Sequence, residues 1–350
     1  MSIRPRSLLV ILAGLILVPA AGYAFYWFHA AGELRKGVDA FAAARRAEGW
    51  RVEFAQGRLF GFPGRIGLDL GETRLTSPAG FSWRSNGLSI VVPGLDPLNP
   101  RLELGTQHDL AMGESWRGIV TAASTTLLLR VDGDGDLHSF AFDAVSPVLE
   151  QPGAAPVLAS TLSVTYDWLN PAAPGHETAS VRFSLGLRDV DVAALAGLPL
   201  GRRFETVQLE GRIMGSIPEI APLAALAAWS RDGGIVELDR FTVDWPPLAL
   251  EGDGTLAFDH ALQPQIATVA RIRGWKEFMA RLAQAGLIEP GMASAADFLL
   301  AILSRPDEQG RPTLTLALTL QDGYLYAGQA RLMQVPPLPI TPPNPGAPPS

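Results

Sequence analysis

The 350-residue chain contains no cysteine. That absence excludes a disulfide framework, a thiolate metal site, a cysteine nucleophile and a lipid carried on an N-terminal cysteine. Charge is scarce as well: Asp, Glu, Lys and Arg make up 18% of the residues, against roughly 25% in ordinary soluble proteins. The five histidines, His29, His108, His138, His176 and His260, are scattered, and no two stand at metal-ligand spacing. No Gly-x-Ser-x-Gly elbow, P-loop or Gly-x-Gly-x-x-Gly fingerprint occurs. An overall excess of positive charge is missing too. Beyond the first thirty residues, 26 basic against 35 acidic side chains give a balance of −9. Nucleic acid is therefore not the expected partner, because phosphate binding needs positive charge. These absences lead us to expect a non-enzyme with no cofactor and no metal.

What the chain does have begins with one long apolar run. Leu8–Ala30 holds only Tyr23, Tyr26 and His29 as ionisable groups, all near its far end. As a helix its 23 residues reach about 34 Å, enough to cross a bilayer core. Arg4 and Arg6 precede it and no acid does, which keeps that end cytoplasmic and puts Glu33 onward outside. Tyr23, Phe25, Tyr26, Trp27 and Phe28 crowd the exit as an aromatic belt. The competing reading is a cleaved signal peptide with its cut after Ala24. Both readings export the rest of the chain; the expected location is the inner membrane, single-pass, with the bulk in the periplasm.

Residues 31–49 then read as a juxtamembrane helix, with Leu34, Val38 and Phe41 at helical spacing. From Trp50 the period becomes two. Ile66-x-Leu68-x-Leu70, Leu162-x-Val164-x-Tyr166-x-Trp168, Val181-x-Phe183-x-Leu185-x-Leu187, Val207-x-Leu209 with Ile213, and Leu314-x-Leu316-x-Leu318-x-Leu320 each give one dry and one wet strand face. Antiparallel sheets behave this way. Asp132-Gly133, Gly233-Gly234, Gly252-Asp-Gly254 and Asp322-Gly323 suit hairpin turns. Asp132-Gly-Asp-Gly-Asp136 lacks the Gly and Glu of a calcium loop and reads as a hairpin tip. Asp191 is expected to cap a short turn at 192–196. Helices are expected at 218–230 and as a hairpin at 275–286 and 291–304. The fold class is therefore mainly β (β-rich α+β): an N-terminal transmembrane helix, then a large curled antiparallel sheet with a few packing helices. The divisions are 1–30 stub and anchor, 31–49 helix, 50–335 β-rich domain with a break near 150–175, and a disordered tail at 336–350, where eight of fifteen residues are proline.

At Arg58-Leu-Phe-Gly61-Phe62-Pro63-Gly-Arg65-Ile the chain resembles a Gram-negative envelope family, domain of unknown function 2125, with Gly64 in the variable position. Further likeness lies at Val243–Leu256 and Leu320–Gly328. The resemblance implies an anchored, β-rich envelope protein and no particular activity. More loosely, the strand–turn–strand grammar around Leu248–Phe258 is similar to AsmA-like envelope proteins, whose curled sheets are implicated in lipid transport. The Gly-Phe-Pro-x-Arg segment itself reads first as a turn that locks the sheet to the juxtamembrane helix, and second as a binding site through Phe62, Pro63 and Arg65.

A dozen strands with one dry face each outnumber what four short helices can cover. The sheet must close on itself or hold apolar cargo. The candidate groove residues are Leu209, Ile213, Leu316 and Leu318, and an ordinary closed core is the competing outcome. The partners expected are the membrane, a lipid or other hydrophobic ligand, and envelope proteins. A scaffold working through sheet edges, the proline-rich tail or a basic collar is the alternative.

Overall fold

The structure is a computed structural model. It describes residues 5–338 except 56, 95, 114–115, 134, 170–174 and 218–221; the side chains of 5–16, 222–224, 290, 292–293 and 295 are outside that description. The proline-rich tail from residue 339, the break at 170–174 and the first residues of the helix expected at 218–230 thus lie outside it. The chain forms two compact units, Met1–Leu137 and His138–Ser350. Their boundary lies before the 150–175 stretch.

The first unit opens with helix α1 (Pro5–Ala47), in which the apolar run and the juxtamembrane segment are one continuous element. Among the described residues, no helix is long and apolar enough to cross a membrane; residues 8–16 of the apolar run belong to the part whose side chains are not described.

Five bent antiparallel strands follow in a meander, each broken at its middle. They are β1 (Arg51–Phe54) with β2 (Arg58–Phe60), β3 (Arg65–Asp69) with β4 (Thr73–Thr76), β5 (Phe81–Ser85) with β6 (Ser89–Pro93), β7 (Arg101–Glu103) with β8 (Gln107–Met112), and β9 (Trp116–Thr121) with β10 (Ser124–Val131). Each bent strand pairs with the next on both sides of its break: β1–β4 and β2–β3, β4–β5 and β3–β6, β5–β8 and β6–β7, β8–β9 and β7–β10. Backbone bonds such as Leu70 N to Leu88 O (2.8 Å) and Leu104 N to Thr125 O (3.0 Å) carry the ladder through the bend. Gly71 and Gly105 turn the corner at φ 62° and 81°, where a Cβ would be strained.

The bend leaves carbonyls to satisfy, and buried side chains do so. Ser85 Oγ reaches Gly87 O (2.8 Å) and Leu104 O, and Thr125 Oγ1 donates to Gly105 O. Helix α1 lies on this sheet through Trp27, Ala31, Leu34, Val38 and Ala42, a 3.6-residue period. Trp27 and Ala31 pack with Ile66 and Val92; Leu34 and Val38 pack on Leu68, Leu70 and Leu88. Phe41, expected on this stripe, is instead exposed, with the Arg45 guanidinium over its ring. The buried place is taken by Ala42, one residue along the helix.

The second unit is a long-stranded antiparallel sheet. Its strands are β11 (Leu137–Val145), β12 (Val148–Glu150), β13 (Val157–Leu158), β14 (Thr161–Trp168), β15 (Ala179–Val192), β16 (Arg203–Met214), β17 (Val236–Trp245), β18 (Leu248–Phe258), β19 (Pro264–Arg273), β20 (Arg305–Pro306), β21 (Pro312–Gln321), β22 (Tyr324–Ala327) and β23 (Ala330–Gln334). The ladder runs β11–β14–β15–β16–β17–β18–β19–β21–β22–β23. Bulges at Glu210/Gly211 and between Leu238 and Phe241 add local twist. Helix α2 (Pro222–Arg231) follows β16. Helices α3 (Trp275–Gln284) and α4 (Pro290–Leu303) form the hairpin between β19 and β20.

Three turn expectations resolve differently. Asp322-Gly323 is the two-residue hairpin expected, with φ 52° and 74° and Gln321 opposite Tyr324. Gly233-Gly234 instead ends α2: Gly233 has φ 83° and Gly234 N bonds Trp229 O at 2.9 Å, a helix-terminating arrangement. Gly252-Asp-Gly254 is no turn at all and lies in the middle of β18. Asp191 does not cap the 3₁₀ turn Ala193–Leu195, whose N-cap is Val192 without a side-chain bond. It pairs with Arg202 (3.0 Å) and Arg203 (3.5 Å) across the β15–β16 link.

Candidate functional site: an apolar face across nine strands

Pairing register places the dry positions of the second unit in continuous rows. One row runs Phe142, Val164, Leu185, Leu209, Phe241, Gly252, Ala270, Leu316. The next runs Phe140, Tyr166, Phe183, Gly211, Leu238, Gly254, Thr268, Leu318, Ala327. Ile213 stands in a third, with Val181, Val236, Leu256, Ile266 and Leu320. Leu209 and Leu316 therefore share a row, four strand spacings apart, about 19 Å at 4.8 Å per strand.

The glycines explain the surface of this face. A Cβ on Gly252 would collide with Val269 O and stand 2.8 and 2.9 Å from two Phe241 ring atoms. One on Gly211 would lie 3.1 and 3.2 Å from Phe183 ring carbons. Each ring thus lies down over a glycine of the neighbouring strand, where any side chain would prop it up. At the β11 end, Phe140 stacks on Tyr166 (5.2 Å, 6°) and Tyr166 meets Trp168 edge-on (4.4 Å). Burial raises the Tyr166 phenol above its ordinary pKa, so it is neutral at physiological pH.

Among the described residues of this unit, helices reach the strand ends, and the side chains of the middle strands are only partly buried. Helix α2 is held by Trp229 Nε1 to Met214 O (2.7 Å) and Ser230 Oγ to Phe258 O (2.8 Å), both at strand ends. Trp275 and Leu262 are buried at the β18–β19 side. In the first two rows Phe183, Leu185, Leu209, Phe241 and Leu316 are only half-buried, as are Val243 and Leu250, paired in the row beyond them. The buried clusters formed by Trp27 with Ile66 and by Leu68 with Leu88 both belong to the first unit. On the opposite, wet face charges neutralise one another locally: Arg212 with Glu237 (2.9 Å) and Asp239 (2.7 Å), and Arg271 and Arg273 with Glu251 (3.2 and 3.4 Å). The apolar rows carry no carboxylate, amine or imidazole, so their chemistry is apolar contact rather than proton transfer.

All four groove candidates, Leu209, Ile213, Leu316 and Leu318, fall on this one face and are half-buried. Phe62, Pro63 and Arg65 belong to the first unit. There Tyr23 OH donates to Pro63 O, Trp27 Nε1 to Arg65 O (2.9 Å) and Tyr26 OH to Gly94 O (3.2 Å). Phe62 meets Trp27 edge-on at 5.5 Å and stacks on Phe28 at 6.2 Å. The turn is thus clasped to α1. Missing from the sequence reading were the glycines as floor positions. Their signal was present: Gly211 occupies the dry slot between Leu209 and Ile213, and Gly252 and Gly254 the two dry slots between Leu250 and Leu256.

Nothing among curated proteins or solved structures matches this chain. A family profile matches residues 27–336, which takes in the docked part of α1 from Trp27 and every strand of both units. The chain belongs to the bacterial family described as "Uncharacterized protein conserved in bacteria (DUF2125)".

Proposed function

We propose that this protein is a membrane-tethered, non-enzymatic factor of the bacterial envelope whose second unit binds acyl chains or another hydrophobic partner on its open apolar face. The observation that carries this reading is the pair of central rows from Leu185 to Leu316. They form a smooth apolar surface several strands wide, in which Gly252 and Ala270 are buried and Leu185, Leu209, Phe241 and Leu316 are only partly so. An apolar surface of this width whose side chains are only partly buried supports a binding role. The uncharged run Leu8–Gly22, with Arg4 and Arg6 before it, supports a tether whose far side is the periplasm. Leu17 and Val18 are solvent-facing on α1 at 65% and 73%, as lipid-facing side chains would be.

The test uses the full chain in lipid nanodiscs with a photoactivatable fatty acid. Crosslinks should map by mass spectrometry to peptides of β15–β19 and β21. Labelling that spares these strands removes the reading. A second reading, an envelope scaffold, is favoured by β23, whose five residues are all exposed, including Leu332 and Met333. An exposed edge of this kind can accept a strand from a partner. Crosslinking in membranes would then recover a protein through β23 in place of lipid through β15–β19.

A further inference from the structure

The docking of α1 sets a length problem that the apolar run alone does not solve. Tyr23, Tyr26 and Trp27 spend their polar tips on the turns at Pro63, Gly94 and Arg65, so from Tyr23 onward one side of α1 is covered by protein. What remains free to cross a bilayer is Leu8–Gly22, 15 residues. That is about 22 Å of helix, against a hydrocarbon thickness of about 30 Å. On the uncovered side of the docked segment stand Phe25 and Phe28, 77% and 65% exposed, and beside them Phe62 of the Gly-Phe-Pro turn, 52% exposed and stacked on Phe28. The apolar surface therefore continues past Gly22, first on the helix and then across to the sheet. Arg65, exposed, follows Phe62 in the same turn. The first acid and lysine of the helix, Glu33 and Lys36, come later and pair with each other at 2.8 Å.

We propose that Phe25, Phe28 and Phe62 form a foot that enters the outer zone of the phospholipid bilayer, so that the Gly-Phe-Pro turn is a second membrane contact of the first unit. This rests on the reading of Leu8–Gly22 as a membrane tether. The foot supplies the missing length: the six residues from Tyr23 to Phe28 extend the apolar band by about 9 Å, a little under two helical turns. Aromatic rings suit that depth, where one end is apolar and the other wet. Arg65 then sits at headgroup level, where anionic lipid attracts it. A protein partner is the less fitting occupant, because the patch is continuous with an uncharged run already long enough to enter lipid.

The chain's lack of cysteine makes the test direct. Single variants Leu17→Cys, Gly64→Cys and Asp39→Cys carry an environment-sensitive nitrobenzoxadiazole label in the full chain. Each is reconstituted in phosphatidylcholine–phosphatidylglycerol vesicles. Gly64 adjoins the foot and a Cβ there meets open space, so the label does not disturb packing. Lipid-borne nitroxide should quench Leu17 and Gly64 labels, and aqueous dithionite should reduce the Gly64 label several-fold more slowly than the Asp39 label. If Leu17 is quenched by lipid while Gly64 reacts as fast as Asp39, the foot is overturned and the tether stands. If Leu17 escapes lipid quenching, the tether fails and the foot with it.

Discussion

At the scale of single residues, His108 shows how the bend in the first unit limits the chemistry beneath it. The ring is buried, stacks on Trp83 at 6.1 Å and has Nε2 2.8 Å from Thr125 Oγ1. Thr125 gives its own proton to Gly105 O, so His108 Nε2 must be the donor. Nδ1 is then the unprotonated nitrogen, and it is buried without a partner. Burial lowers the His108 pKa below its usual 6.5, opposed in part by Asp109. A histidine held neutral protonates first in the unfolded chain. Its stabilisation is therefore complete above the unfolded pKa of about 6.5 and is lost as pH falls from there through the lower folded value. The melting temperature of the first unit should drop between pH 7 and pH 5, and His108→Asn should flatten that part of the profile. Glycine positions carry a second residue-scale prediction. Gly252→Ala should cost about 1–3 kcal/mol in urea unfolding, because a Cβ meets Val269 O and the Phe241 ring. Gly64→Ala, in open space, should stay within about 0.5 kcal/mol.

At the scale of elements, α1 is tied to its sheet by one stripe, and the stripe's period makes the prediction. Trp27→Ala removes a buried ring and an indole bond to Arg65 O, and should cost the first unit about 3–5 kcal/mol in detergent. Phe25→Ala, two residues away on the exposed side, should leave the same transition within about 0.5 kcal/mol. Equal losses from both would mean that α1 does not dock as described. The element-scale surprises share this logic. Phe41 matched the apolar spacing, yet the smaller Ala42 is the residue buried. Spacing in sequence does not say how the helix is rotated against its sheet, and the contact face is chosen by the sheet.

At the scale of the whole molecule, the two units spend their apolar residues differently. The first closes its dry face with α1. The second leaves its central rows half-covered, with helices holding the ends of the strands. If those rows bind acyl chains, Leu209→Asp should weaken binding of a fluorescent fatty acid by about 30-fold, the loss of roughly 2 kcal/mol of apolar burial. Arg182→Asp, on the exposed wet face of the same sheet, should change it little. Equal effects of the two substitutions would separate the binding from the apolar rows.

Much of this architecture was legible before any coordinates. Period-two alternation is a local consequence of the pleat, so Val181–Leu187 and Leu314–Leu320 declare both a strand and its dry face. The two-residue turn Asp322-Gly323 does the same for a hairpin, because only such residues accept positive φ cheaply. By itself, then, the sequence determined the β character, the antiparallel pairing and the apolar run at the start. It could not show that Gly252-Asp-Gly254 lies inside a strand, since the same dipeptides serve turns and ring-covered floors alike. Nor could it show which dry faces are closed. Closure depends on register and on which helix reaches which strand, and both are settled by contacts between residues distant in the chain. Tertiary structure alone decided that α1 covers one sheet, that the large side chains of the row from Phe142 to Leu316 are only partly buried, and that Phe62 joins Phe28 on the outside.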